Sequence, residues 1–138
     1  MMNEPLSSIM TTDLVTVHPK DKLSKVRDIF LNTRIHHLPV VDDAGDLVGL
    51  LTTYDLFRLE RTLDEYHAIP VDHVMTRRLA KLEPHQKIGV AAEIFLENLF
   101  HAVPIVEGNK LVGIVTTFDV LKYEFDKAYP AHAMVHVR

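Results

Sequence analysis

The chain of 138 residues contains no cysteine. This absence excludes disulfides, thiolate zinc sites, iron–sulfur clusters and thiol nucleophiles, and it favours a reducing compartment. The longest apolar runs, at 47–51 and 111–115, are far too short to cross a bilayer, and residues 1–8 lack the pattern of a secretory leader. We therefore expect a cytoplasmic protein with no membrane partner.

The charge balance and the missing catalytic motifs exclude further classes. Nineteen acidic residues outnumber 15 Lys and Arg, and the formal net charge is −4, so a basic face for nucleic acid is not expected. An anionic ligand must then be held by local groups. The chain has no Gly-x-Ser-x-Gly, His-Glu-x-x-His or Walker lysine motif. We expect a protein that is not an enzyme and requires no cofactor.

The chain contains two copies of one pattern. A shift of 65 positions aligns identical residues up to a turn, where a one-residue deletion reduces the shift to 64. The first-copy positions with an identical partner are Pro5, Met10, Thr11, Leu14, Pro19, Lys22, Ile29, Phe30, Leu31, His36, Pro39, Val41, Leu47, Val48, Gly49, Thr52, Thr53, Asp55 and Glu60. We predict a first repeat with its lead-in at 1–67, a second repeat at 68–127 and a tail at 128–138.

Each copy predicts the same order of elements: strand, helix, strand, strand, helix. The predicted segments are the first strands at 14–17 and 79–82, the first helices at 22–35 and 87–100, the strand pairs at 37–42 with 47–52 and 102–107 with 111–116, and the second helices at 54–66 and 118–129. A unit this small cannot cover both faces of a three-stranded sheet. The predicted fold class is therefore α/β of the α+β type, with two β-α-β-β-α repeats packed about a pseudo-twofold axis.

One heptad, Gly-Leu-Leu-Thr-Thr-Tyr-Asp at 49–55, returns as Gly-Ile-Val-Thr-Thr-Phe-Asp at 113–119. Its Thr-x-x-Asp is close to a helix capping box, which alone would account for the threonine and the aspartate. Capping does not explain Gly49 and Gly113, because glycine inside an apolar strand marks a bulge or a close approach by another group. A helix N-terminus suits a phosphate, and a carboxylate suits a ribose diol. The heptad thus indicates a nucleoside phosphate, with capping alone as the open alternative.

The ordered set of motifs resembles a tandem pair of cystathionine β-synthase (CBS) domains, a Bateman module. The set comprises Met-Thr, a proline, a helix, an apolar-Pro-Val-Val-Asp strand and the Gly-x-x-Thr-x-x-Asp heptad, and it extends from about Pro5 to about Phe125. The resemblance implies two clefts between the repeats that bind AMP, ADP, ATP or S-adenosylmethionine, with NAD as a further candidate. It also implies a regulatory role, exerted through a dimer or a protein partner.

The resemblance carries ligand roles onto residues at matched positions. The aspartates would hold the ribose, the threonines would face the phosphate, and the apolar residue after each heptad glycine would lie beside the base. Thr16 and Lys81 share a first-strand position that often contacts ligand in the family, and their difference suggests unequal clefts, although Lys81 could equally be a solvated strand residue. The complete set of ligand-binding residues expected is Thr16, His36, His37, Leu50, Thr52, Thr53, Asp55, Lys81, His101, Ile114, Thr116, Thr117 and Asp119.

Histidines precede the Pro-Val strand in both copies, at His36 and His37 and at His101. Some CBS proteins that sense adenylate charge have a His-Arg pair there, so histidine replaces arginine in this chain. Because the ordinary pKa of histidine is near 6.5, we expect weaker or more pH-sensitive phosphate binding. Two alternatives stay open: hydrogen bonding to backbone, or a metal site, for which no carboxylate recurs beside the histidines. His132 and His136 fall in the tail, where a mobile end is expected.

The apolar side of the second helices exceeds what a helix cap needs. The residues on that side are Leu56, Leu59, Leu63, Val120, Tyr123 and Phe125. We therefore predict that these helices form a homodimer surface. The leading function is a nucleotide-binding regulator, and the competing function is a structural dimerisation module whose clefts are empty.

Overall fold

The computed structural model describes residues 2–131, which do not include His132 and His136. The elements of the first repeat are α1 (Leu23–Asn32), β1 (His37–Val41), β2 (Leu47–Thr52), α2 (Thr53–Leu59) and α3 (Leu63–Ala68), and those of the second are α4 (Ile88–Asn98), β3 (Ala102–Glu107), β4 (Lys110–Thr116) and α5 (Thr117–Ala128). A short 3-10 turn precedes each repeat, at Leu6–Ser8 for the first and at Val71–His73 for the second. Across these 130 residues, helices are too short or too polar to cross a membrane.

Each repeat contains an antiparallel hairpin, β1 with β2 and β3 with β4. The tight connections contain Gly45 and Gly108 at φ +85° and +61°, a backbone region that favours glycine. Each hairpin has a register shift, between Val40 and Val41 and at the equivalent place in the second repeat. The expected α+β fold with two related repeats is therefore confirmed.

The predicted first strands at 14–17 and 79–82 are wrong as strands. Each is reduced to one residue, Val17 or Leu82, that forms an isolated parallel bridge to the neighbouring hairpin. Pro19 and Pro84 follow within two residues. Because proline has no N–H to donate, the pairing ends almost as soon as it begins.

The second helix of the first repeat, predicted as one segment at 54–66, is broken in two. Glu60 ends α2 in the left-handed conformation at φ 50°. Thr62 then begins α3 with its own capping box, in which the Thr62 hydroxyl accepts from the amide of Glu65 at 3.2 Å. The equivalent helix α5 is continuous, so the repeats differ most here.

The first lead-in packs into the core of the second repeat, and the second lead-in packs into the core of the first. Leu6 is fully buried with the core of the second repeat, and Val71 is fully buried with that of the first. Backbone hydrogen bonds also connect each lead-in to the other repeat. The first amide of α4, at Ile88, donates to Glu4 at 2.9 Å, and the first amide of α1 donates to Ile69 at the same distance. Whether the repeats divide between residues 67 and 68 stays a prediction.

Candidate ligand clefts

The helices after β2 and β4 both begin with a capping box. The amide of Thr52 donates to Oδ2 of Asp55 at 2.8 Å, and the Thr52 hydroxyl accepts from the Asp55 amide at 3.2 Å. Thr116 and Asp119 repeat this arrangement at 2.8 and 3.3 Å. The capping role predicted for these four residues is confirmed. All four side chains are only partly buried, so they also face the surface.

The next residue of each heptad connects the helix to the histidine segment. The amide of Thr53 donates to the carbonyl of His36 at 3.1 Å, and that of Thr117 donates to His101 at 3.0 Å. Two of the first three amides of each helix are therefore already engaged. The free N–H groups expected at these helix starts are fewer than the sequence suggested, and a ligand there would depend more on side chains.

Two segments cross from one hairpin to the other. Residues 76–82 pair with β2 at one end, where Thr76 and Leu50 exchange hydrogen bonds of 2.9 and 3.0 Å. At the other end Leu82 forms a bridge to β3. Residues 11–17 pair with β4 at one end, where Thr11 and Ile114 exchange hydrogen bonds of the same lengths. At the other end Val17 forms a bridge to β1. Each heptad therefore lies beside one crossing segment, so the backbones of both repeats meet at each heptad.

This pairing sorts the predicted site residues into two groups. The first, which we call the Asp55 cleft, comprises Leu50, Thr52 and Asp55 with the crossing segment that carries Lys81, and the second, the Asp119 cleft, comprises Ile114, Thr116 and Asp119 with the segment that carries Thr16. Lys81 is exposed and Thr16 is half-buried. Their contact with a ligand stays a prediction.

The three predicted histidines lie close enough to one another to interact, since His36 and His101 both act on His37. His101 also adjoins the Asp119 cleft, because its carbonyl accepts from the Thr117 amide. His37, at the start of β1, is half-buried, whereas His36 and His101 are exposed. Burial lowers the pKa of His37, the nearby imidazoles of His101 and His36 lower it further, and the Asp55 carboxylate acts in the opposite direction. At neutral pH His37 is therefore neutral. In the part of the chain described, side chains that could ligate a metal do not form a group of three or more.

Two surface depressions lie away from these groups. One, of about 460 Å³, runs along α1, and the other, of about 360 Å³, lies beside His85 and Gly108. Neither is lined by a predicted ligand-binding residue. The candidate ligand site therefore stays at the starts of α2 and α5.

The repeated geometry agrees with a family comparison. A model of the CBS domain matches residues 6–62 and 66–126, nearly the whole chain. The chain belongs to the CBS domain family. The resemblance drawn from the repeated motifs is therefore confirmed, and the two hairpins with their crossing segments are a CBS pair.

Known proteins resemble this chain in sequence or in fold. The uncharacterized protein MJ1404 of Methanocaldococcus jannaschii is 30% identical over 91% of this chain, which spans only 33% of that protein's length. CBSX2 from Arabidopsis thaliana superimposes with a TM-score of 0.83 at 24% identity, over 91% and 97% of the two chains. A structure of CBSX2 in complex with AMP has a TM-score of 0.81 at 25% identity over 91% and 98%. The CBS pair of protein MJ0100, in complex with 5′-methylthioadenosine and S-adenosyl-L-methionine, has a TM-score of 0.76 at 24% identity over the same shares.

The glycine of each heptad in this CBS pair is explained by a methionine. A Cβ on Gly49 would lie 2.4 Å from Sδ of Met75, and one on Gly113 would lie 2.7 Å from Sδ of Met10. The close approach expected at these glycines is thus made by the lead-in of the other repeat. The two methionines are packing residues, because Met75 belongs to the first core and Met10 packs against the second.

Two charged residues on the crossing segments were absent from the predicted site. Asp13 and Arg78 are exposed, and each lies where its segment bends. The same 65-residue shift that revealed the repeat places them on each other, so the opposite charges were readable in the sequence.

Proposed function

We propose that this CBS pair is a non-enzymatic regulatory module that binds adenosine-containing ligands, such as AMP, ADP, ATP or S-adenosylmethionine, in two clefts, the Asp55 cleft and the Asp119 cleft. The proposal rests on one observation: at both helix starts a threonine and an aspartate lie beside a segment from the other repeat. CBSX2, a family member of matching length, has been crystallised with AMP, which supports the ligand class. NAD is a further candidate. A cytoplasmic location and a regulated protein partner belong to the proposal and rest on the sequence alone.

The aspartates have the chemistry to hold a ribose while they cap their helices. Only Oδ2 of Asp55 and of Asp119 is used by the cap. Within residues 2–131 the structure assigns no partner to Oδ1 of either aspartate, so one acceptor remains for the ribose hydroxyls. In this proposal Leu50 and Ile114 contact the base. The residues proposed on the phosphate side are Thr16, His36, His37, Thr52, Thr53, Lys81, His101, Thr116 and Thr117.

Adenine nucleotides are expected to stabilise the fold against heat. A ligand at a hundredfold its Kd raises the free energy of unfolding by about 2.7 kcal/mol, which corresponds to several degrees for a chain of this size. The measurement is thermal unfolding with AMP, ADP, ATP, NAD or S-adenosylmethionine at millimolar concentration. Unchanged melting with every one of these compounds would refute the proposal.

The same assay, combined with calorimetry, separates ligand binding from capping. Asp55→Ala and Asp119→Ala should each cost about 1 kcal/mol of stability through the lost cap and should each remove one binding event. Glu65→Ala is the matched control, because Glu65 closes a similar capping box on α3, outside both clefts. It should lower stability by a similar amount and leave both binding events in place. Equal effects of all three variants on binding would assign the aspartates to capping alone.

The histidines predict a pH dependence with a definite sign. Since His37 is neutral at pH 7, a phosphate beside it must raise its pKa, and binding then takes up a proton. ATP affinity should therefore increase as the pH falls from 8 to 6, and His37→Gln should weaken that trend. The test is calorimetry across this range in buffers of different ionisation enthalpy. An identical pH profile in the wild type and the variant would count against phosphate contact by His37.

We also propose that the module forms a homodimer through α2 and α5, with a surface that differs from most of the residues first named. Of those residues Leu63 is exposed, but it lies on α3. Leu56 is buried in its own protomer, and Val120 and Tyr123 pack against the second core. The exposed apolar residues of these helices occupy matched positions in the two repeats: Tyr54 with Phe118 and Phe57 with Leu121.

The dimer proposal predicts that a charge on the contact surface halves the mass of the protein in solution. Leu121→Lys should convert the dimer into a monomer in light scattering, because it places a charge at the centre of the proposed apolar contact. Leu96→Lys, on α4 and at a still more exposed position, is the matched control and should leave the dimer intact. A monomeric wild type, or a dimer that survives Leu121→Lys, would show that these helices are not the interface.

One alternative function has specific support. Capping accounts for Thr52 and Asp55, and the Met75 contact accounts for Gly49, so the repeated heptad has a complete structural explanation. The module would then act only as a structural dimerisation element with empty clefts. The ligand screen distinguishes the two functions, since only the first predicts a shift in melting temperature.

A further inference from the structure

We infer that the two clefts select ligands of opposite charge: the Asp55 cleft takes adenosine polyphosphates, and the Asp119 cleft takes adenosyl ligands whose 5′ substituent is uncharged or cationic. This inference rests on the proposed binding of adenosine-containing ligands. It goes further by assigning a ligand class to each cleft.

The crossing segments carry opposite charges at equivalent places. Residues 76–82 read Thr-Arg-Arg-Leu-Ala-Lys-Leu and contain no acidic residue, whereas residues 11–17 read Thr-Thr-Asp-Leu-Val-Thr-Val and contain no basic one. Arg78 and Asp13 occupy the same repeat position, and Lys81 is matched by Thr16. The segments therefore differ by several unit charges although their backbones follow the same course.

The backbone pairing decides which charge accompanies which aspartate. Thr76 pairs with Leu50, two residues before the Thr52 cap, and Thr11 pairs with Ile114, two residues before the Thr116 cap. Arg78 is two residues beyond Thr76, about 7 Å along an extended chain, which is within the Debye length of about 8 Å at physiological ionic strength. Arg78 therefore acts on the Asp55 cleft, and Asp13, two residues beyond Thr11, acts on the Asp119 cleft. The far end of each segment, which carries Lys81 or Thr16, approaches the other hairpin through Leu82 or Val17.

The remaining charged groups strengthen the same difference. Arg77 is partly occupied, since its guanidinium donates to the carbonyl of Asp72 at 2.9 Å. Arg78 and Lys81 are exposed and form no ion pair within the described chain. At the start of the hairpins, His37 pairs with Thr52, whereas the uncharged Ala102 pairs with Thr116. The Asp55 cleft thus has one unpaired cation, Arg78, and an imidazole that Ala102 does not supply at the matched position.

The ligand class follows from Coulomb interactions. A triphosphate beside Arg78 gains attraction, whereas beside Asp13 and Asp119 it meets two carboxylates with no lysine or arginine on the crossing segment. A sulfonium or an uncharged thioether avoids that repulsion. ATP and S-adenosylmethionine therefore serve as probes of the two clefts.

The test is calorimetry of the full chain with ATP and with S-adenosylmethionine. ATP binding should be lost in Asp55→Ala and retained in Asp119→Ala, and S-adenosylmethionine binding should show the reverse. Arg78→Asp should weaken ATP binding about tenfold, and Asp13→Arg should strengthen ATP binding to the Asp119 cleft about tenfold. In the double variant Asp13→Arg with Arg78→Asp, ATP binding should become sensitive to Asp119→Ala instead of Asp55→Ala.

Arg27→Asp is the matched control, because it makes the same change of charge on α1, outside both clefts. An equal loss of ATP affinity in Arg27→Asp and Arg78→Asp would overturn the inference, since net charge alone would then explain it. ATP affinity that is unchanged in Arg78→Asp would also overturn it while leaving the proposed function standing. Failure of the wild type to bind either probe or any other adenine compound would overturn the proposed function itself.

Discussion

Replacing Leu6 by alanine should lower the free energy of unfolding by about 2 to 5 kcal/mol, the range for truncating a fully buried leucine. Leu6 has no exposed surface although it lies only a few residues from the N-terminus of the chain, because it fills the core of the second repeat. Denaturant unfolding of the purified protein gives this value directly.

Ser7→Ala is the control for that experiment. Ser7 is exposed and follows Leu6 in the same 3-10 turn, so its variant should stay within about 0.5 kcal/mol of the wild type. A loss below about 1 kcal/mol for Leu6→Ala would mean that the first lead-in is not part of the second core. The two variants together test whether the first lead-in is buried in the second core.

Replacing Gly49 by alanine should cost about 1 to 3 kcal/mol, as overpacking of a dense interior does. The new methyl group would fall within 3.0 Å of three atoms of the Met75 side chain, its own Cβ among them, so rotation of the methionine alone cannot clear the space. Adding Met75→Ala should recover part of the loss, which a double-mutant cycle measures as a coupling energy.

The outcome also decides what the heptad glycine is for. If Gly49 served mainly to admit a ligand, Gly49→Ala would lower nucleotide affinity and leave unfolding of the free protein unchanged. If it serves Met75, the free protein is destabilised before any ligand is added. We expect the second result, and Gly113→Ala should behave in the same way through Met10.

Local features of the fold could be predicted from the sequence, because their causes lie within a few residues. The hairpins follow from apolar runs around glycine turns, and the capping boxes of α2 and α5 follow from Thr-x-x-Asp. The break before α3 was also readable, since Thr62 and Glu65 form the same signature inside a segment that was predicted as one helix. Helical periodicity continued through the break and concealed it.

Long-range features could not be predicted in this way. A repeat in the sequence does not reveal which copy a segment packs against, so the first lead-in was assigned to its own repeat although Leu6 is buried in the other. The same limit affected the predicted dimer face, where Leu56 proved to be a core residue. The glycines were correctly read as close contacts, but the contacting group lies in a distant part of the chain.

The exchanged lead-ins also bear on how the chain folds. Neither repeat has a complete core by itself, because the core of each includes a residue that precedes the other in the chain, Leu6 or Val71. The lead-in that contains Leu6 must close a loop to α4, so a large part of the native stability is gained only when distant segments meet, which slows folding and makes unfolding cooperative.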